Sequence, residues 1–167
     1  MDLKRLFLEQ LEHEGAASRR AIERMPEDQD GWRPHPRSME MAHLATLVAT
    51  MPGWVASMIE TDELDLHGNG KALQAKTART REELLALLDD SMAKACKALR
   101  STTEEHLLKP WKLTMGPQVL SYRPRYQSIS DGALSHLAHH RGQLTVYLRM
   151  NEVKVPAIYG PSADEWN

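Results

Sequence analysis

Four stretches of the chain repeat apolar side chains at helical spacing, with prolines and glycines between them, and this pattern constrains the fold more than any other feature. The first covers about residues 2–24, with Leu3, Phe7, Leu11, Ala17 and Ala21 recurring near helical spacing. It must end before Pro26, because a residue preceding proline avoids helical geometry. The second, about 38–60, begins after Ser38 as a capping residue and carries Met41, Leu44, Leu47, Val48, Met51, Val55, Met58 and Ile59. Pro52-Gly53 interrupts it and predicts a kink near Met51. The third, about 80–100, opens on Thr80-Arg81-Glu82-Glu83, a capping-box spacing, and continues through Leu84, Leu88, Met92, Ala95 and Leu99. The fourth, about 129–150, starts at Ser128-Ile129-Ser130-Asp131.

The segments between them read as connections. Glu27 to Arg37 is a polar loop anchored by Trp32, and Leu64 to Lys76, with Gly68-Asn69-Gly70, is a second. From Leu107 to Ser128 the helical period disappears. Pro110, Gly116, Pro117 and Pro124 punctuate a run holding Trp111, Leu113, Val119, Leu120 and Tyr122, which reads as an irregular loop or a loose hairpin. Residues 153–167 read as an extended tail. The expectation is a single domain over 1–167, all-α, an antiparallel four-helix bundle with one excursion between the third and fourth helices.

Composition narrows the function classes. Lys and Arg number 21 against 23 Asp and Glu, a net charge of −2, which disfavours a dedicated nucleic-acid binder. The loose basic cluster Lys71, Lys76, Arg79 and Arg81 is expected to be solvated. Apolar residues make up 41% of the 167, enough for a packed core. No long apolar run and no signal-like N-terminus is evident, so no membrane partner and a cytoplasmic location are expected. The single cysteine, Cys96, excludes an internal disulfide or a thiolate metal cage and is expected to be structural. Trp32, Trp54, Trp111, Trp166 and the nine methionines read as helix packing.

Eight histidines remain to be explained. On the fourth helix, at about 100° per residue, His140 lies about 40° from His136, with Gln143 and Tyr147 about 20° from His136 on either side. Apolar residues flank that stripe, while Arg141 and Arg149 fall opposite, so the histidine pair is expected to face inward. On the second helix Leu47, Met51, Trp54 and Met58 fall within about 80° of His43, which places that histidine on the apolar side. Buried imidazoles need partners, and a shared divalent metal satisfies several at once. An i, i+4 pair chelates well, and a third ligand from another helix leaves a coordination position open. His139, at an i, i+3 spacing from His136, is an alternative to His140, and hydrogen-bonded core histidines are the alternative to a metal. His13, His35, His67 and His106 lie on polar stretches and are expected to be solvated. The Glu of a zincin helix, the serine of a G-x-S-x-G elbow and a phosphate-binding glycine loop are all missing.

The string His136-Leu137-Ala138-His139-His140-Arg141-Gly142-Gln143, followed by Tyr147-Leu148-Arg149, resembles the last core helix of the DinB-like (YfiT-like) superfamily. Trp32-Arg33-Pro34, Ala42-His43-Leu44-Ala45 and Val155-Pro156-Ala157-Ile158-Tyr159-Gly160-Pro161-Ser162 are similar to other family positions, so the likeness touches nearly the whole chain. It implies an up-down-down-up four-helix bundle, often a homodimer, with a divalent metal, Zn2+ or Ni2+, on His43, His136 and His140. It also implies a metal-dependent thiol transferase or related hydrolase acting on a small electrophile, with a low-molecular-weight thiol as co-substrate. Gln143 or Tyr147 would orient the substrate. The alternative is a non-catalytic, metal-stabilised stress-response or interaction protein.

Overall fold

The structure is a computed structural model and describes residues 2–68 and 76–165. Helix α1 spans Leu3–Ile22. Its exposed N–H groups are held by the Asp2 side chain, which accepts from Arg5, and by the Glu104 carboxylate, which accepts from Leu3 and Lys4 at 3.2 and 3.1 Å. The second helical stretch is two helices, α2 (Met41–Thr50) and α3 (Pro52–Glu60), bent by 48° at the proline. Pro52 opens α3, where its missing N–H costs nothing. The capping residue of α2 is Glu40 rather than Ser38. It makes no side-chain bond, and the N–H groups of Met41 and Ala42 instead donate to the carbonyls of Trp32 and Asp30. Trp32, packed edge-on to Tyr147 at 5.3 Å, anchors that loop. Helix α4 (Arg81–Ser101) carries the expected capping box between Thr80 and Glu83, and α5 is the short Glu104–Leu108.

The molecule is not an all-α four-helix bundle, because the two long connections pair into a three-stranded mixed sheet. Strand β1 (Glu63–Asp65) runs parallel to β2 (Pro110–Met115), which pairs antiparallel with β3 (Gln118–Pro124). A two-residue turn, Gly116-Pro117, joins the hairpin; Gly116 has a φ of 58°, the backbone that a first-position glycine supplies in such turns. The Asp65 carboxylate accepts from the Gly116 and His67 N–H groups, fastening β1 to the turn. Leu64 stands opposite Leu113 on one face of the sheet.

The fourth helical stretch is longer than the apolar pattern and is not uniform. A turn, α6 (Arg125–Gln127), leads into a π-helical segment, Ser128–Ser135, and then α7 (His136–Met150). Within the π segment Gly132 leaves room for α3, since a Cβ there would lie 3.2 Å from the Met58 methyl. One apolar cluster joins α1, α2, α4 and α7. A second joins α1, α3, α4, the π segment and Trp111, and Trp54 and Met92 pack against both. Asn69, Gly70, Lys71 and Trp166 lie outside the described residues. Among the described residues no single helix is long and apolar enough to cross a membrane.

Arg125 fastens the sheet to the helices. Its guanidinium is 1% exposed, donates to the Pro110 carbonyl at 2.8 Å and the Thr61 carbonyl at 3.0 Å, and pairs with Asp62. Arg125→Met should therefore strand two carbonyls and loosen the hairpin. The expected loss is on the order of 3 kcal/mol, from two hydrogen bonds to a charged donor. Limited proteolysis within 110–124 should accelerate, and an unchanged cleavage rate would contradict this role.

Candidate functional site

Helix α7 sets His136 and His140 one turn apart, with ring centroids 4.6 Å apart and their Nε2 atoms facing each other at 3.0 Å. His140 is 7% exposed, and its Nδ1 donates to Gln143 Oε1 at 2.8 Å, which leaves its Nε2 as a lone pair. The half-buried His136 ring lies beside Gly132 in the same cavity wall and packs edge-on to Trp54 at 5.7 Å. With the His140 proton on Nδ1, the 3.0 Å contact is a hydrogen bond when His136 carries its proton on Nε2, and two lone pairs open to a cation when His136 carries it on Nδ1. The donor set fits a borderline divalent metal: two imidazole nitrogens one helical turn apart, one ring oriented by an amide as metal-ligating histidines usually are.

Burial is the main cause that holds both imidazoles below the free value of 6.5. At His136 the charge of His140 adds to it and the Gly132 backbone opposes it. At His140 the Gln143 hydrogen bond opposes it, and the charges of His139 and His43 add to it. As pH falls through 6.5 the unfolded chain therefore takes up protons before the folded one, so metal-free stability rises with pH up to about 6.5 and this contribution is flat above. Denaturant midpoints in a chelator at about pH 5.5, 6.5 and 7.5 should rise between the first two. A His136→Ala/His140→Ala variant should show a smaller rise, and an equal one would contradict the assignment.

The third expected ligand stands differently. His43, on α2, is exposed rather than inward-facing, and it lines the same cavity as His136. Among the described residues no three His, Cys, Asp or Glu side chains form a ready metal cage. The structure thus brings His136 and His140 together and leaves His43 in the cavity wall. His139 is exposed, with its ring 5.1 Å from that of His140 and 6.5 Å from that of His136.

That cavity encloses about 570 Å³, a size usual for small-molecule sites. Helices α2 and α3 supply His43, Leu47, Trp54 and Met58. The sheet supplies Leu64, Trp111, Leu113, Ser121 and Arg123, and the π segment supplies Ser128 and Gly132. The hairpin alternative for residues 107–128 is the one the fold takes, and together with β1, which the sequence reading did not foresee, it forms one wall of the site. The turn glycine of Gly116-Pro117 is the signal that favours the hairpin.

Several other expectations need correction. Tyr147 is buried, and its hydroxyl donates to the Met39 carbonyl at 3.3 Å, so it serves the core. Gln143 orients His140. His106 is half-buried with its Nε2 2.8 Å from the Ile59 carbonyl, whereas His13, exposed as expected, stacks on Tyr159 at 6.0 Å. His35 and His67 are exposed as expected. Arg79 pairs with Asp30, and Arg81 donates to the Met25 carbonyl at 2.8 Å. Burial raises the Cys96 thiol pKa, in keeping with a structural residue.

Arg141 was expected on the face away from the core, yet it is 1% exposed. Its guanidinium meets Glu14 Oε2 at 2.6 Å and donates to the Glu14 carbonyl at 3.1 Å and Ser18 Oγ at 3.3 Å. The Tyr159 hydroxyl donates to the Glu14 carboxylate at 2.9 Å, and the tail carrying it crosses α1, where Arg20 donates to the Ala157 carbonyl at 3.1 Å. The sequence signal was Glu14 itself, three residues after Leu11 on the apolar stripe of α1.

Comparison with known proteins settles the family. A family model described as the DinB family matches residues 1–167. The chain belongs to the DinB family. Two solved DinB-like proteins share its fold: one from Bacillus subtilis at a TM-score of 0.68 and 19% identity, covering 92% of this chain and 97% of its own. The other, from Bacillus cereus ATCC 10987, also has a TM-score of 0.68, at 15% identity, covering 92% of this chain and 95% of its own. A shorter match, 52% identical over 45 residues, joins this DinB-family chain to the uncharacterized protein YrdA of Bacillus subtilis strain 168. It covers 24% of the chain and 27% of that relative.

Proposed function

We propose that this DinB-family protein is a metal-dependent enzyme acting on a small electrophile, with His136 and His140 as two ligands and His43 as the third. The observation that carries this reading is the pair of Nε2 atoms facing each other at 3.0 Å, with the His140 Nδ1 bonded to Gln143. His43, exposed on the wall of the cavity that His136 also lines, would supply the third ligand. A bound divalent ion, Zn2+ or Ni2+, would supply Lewis acidity, lowering the pKa of a bound water to about 7 or holding a low-molecular-weight thiol as thiolate. The protein's own residues do the rest. Gln143 fixes the His140 tautomer, Trp54 buttresses the His136 ring, and the apolar walls exclude bulk water from the electrophile. The same reading places the protein in the cytoplasm as a homodimer.

Elemental analysis of purified wild type and His43→Ala tests the ligand set. About one divalent metal per chain is expected in the first, with much less in the second. Turnover of a reactive electrophile with several thiols tests the chemistry. No thiol- or metal-dependent rate above a His136→Ala control would remove the catalytic reading. If the metal were then found to stabilise the fold without exchanging any ligand, the role would be structural.

A further inference from the structure

We propose that the cavity beside the histidine pair takes a small aromatic or alkyl molecule carrying an anionic oxygen group, selected by Arg123. The proposal deepens the reading above, which says what would become of that molecule; its own support is the lining of the cavity. Indole rings and aliphatic chains, among them Trp54, Trp111, Leu47, Met58 and Leu113, make most of the wall, and among the described residues no carboxylate lines it. Arg123 is the guanidinium that does. Strand alternation explains its placement: Ser121 and Arg123, two residues apart on β3, both line the cavity, whereas Tyr122 between them is 67% exposed.

The guanidinium is only partly satisfied. Its Nη1 meets Asp131 at 2.6 Å, but the Asp131 side chain is 60% exposed and water screens its charge. The Arg123 Nε is buried without a partner. Two further lining groups share that condition: the Trp54 indole N–H and the hydroxyl of Ser128, a residue 2% exposed. All three can donate, and two of them can only donate. Buried donors without acceptors, in an apolar chamber whose described lining holds the Arg123 guanidinium and no carboxylate, match a ligand with an apolar body and an acceptor-rich, negatively charged end.

The test uses a matched pair of fluorescent probes on the full chain: 8-anilino-1-naphthalenesulfonate and N-phenyl-1-naphthylamine, the same ring system without the sulfonate. Titrations run in a chelator and again with zinc. The sulfonate should bind at least about tenfold more tightly than its neutral twin in both conditions. Arg123→Gln should shrink that preference to about twofold or less while leaving the neutral probe's affinity unchanged, and Arg123→Lys should keep part of the preference. Leu47→Trp, which fills the chamber, should weaken both probes, with near-ultraviolet circular dichroism confirming that each variant is folded. Equal affinities in wild type, a preference that survives Arg123→Gln, or binding untouched by Leu47→Trp would overturn the proposal. So would a preference that appears only with zinc and ignores Arg123, because the metal would then hold the anion. An Arg123-dependent preference in a protein that binds no zinc would sustain this proposal and remove only the metal reading.

Discussion

Glu14→Ala is expected to cost about 3–5 kcal/mol, the penalty for leaving a buried charge without its counter-ion. Arg141 is 1% exposed, so its guanidinium has no water to turn to once the carboxylate is gone. The remaining bonds to the Glu14 carbonyl and Ser18 Oγ do not neutralise it. In a chain of this length the melting temperature should fall by roughly 6–20 °C. Glu14→Gln, which keeps the shape and one acceptor, should lose less. The double variant Glu14→Leu/Arg141→Met should regain most of the loss, since apolar residues of similar volume often replace a buried pair at little cost. Faster hydrogen exchange over 153–165 should accompany Glu14→Ala, because Tyr159 loses the carboxylate that fastens the tail. A melting temperature within about 2 °C of wild type would show that the pair is not a clamp. The clamp bears on function, since Arg141 directly follows His140 and fixes how α7 is rotated about its axis.

The second large effect concerns zinc affinity. Removing a partner that merely orients a ligand typically lowers metal affinity 10–100-fold, so loss of an imidazole ligand should exceed about 100-fold. His140→Ala is expected in that larger range and Gln143→Leu in the smaller, while His139→Ala should bind much as wild type does. Competition against a chromophoric chelator ranks the three. Wild-type affinity in His140→Ala, or its collapse in His139→Ala, would move the site to the neighbouring ring. His140 sits at the end of α7 nearest the π segment and outside both apolar clusters, so the variant should keep its fold and the result should report on ligation alone.

The helices were legible because their signals are local: stripes at helical spacing, a capping box at Thr80, a proline that bends the chain at Met51. The β2–β3 hairpin was one of two readings of 107–128, but β1 was not legible, because it is three residues long and pairs with residues some fifty positions away, a contact no local pattern encodes. The π segment was equally hidden. Its apolar spacing over Ile129, Ala133 and Leu134 is that of an α-helix, and the shift to i, i+5 bonding appears only in the backbone. The pairing of His136 with His140 is legible because one helix carries both. The exposure of His43 is not, since a rotation angle on α2 fixes direction and says nothing about distance or exposure. The burial of Arg141 is hidden because helical rotation puts it opposite the histidine face, whereas α7 is covered on that side too, by Glu14 and Ser18 of α1.

The strands that close the cavity come from connections between helices, while the imidazole pair comes from a packed helix. Connections tolerate exchange and insertion far better than packed cores do. Editing three short strands would therefore reshape the cavity and leave the histidine pair on its packed helix unaltered.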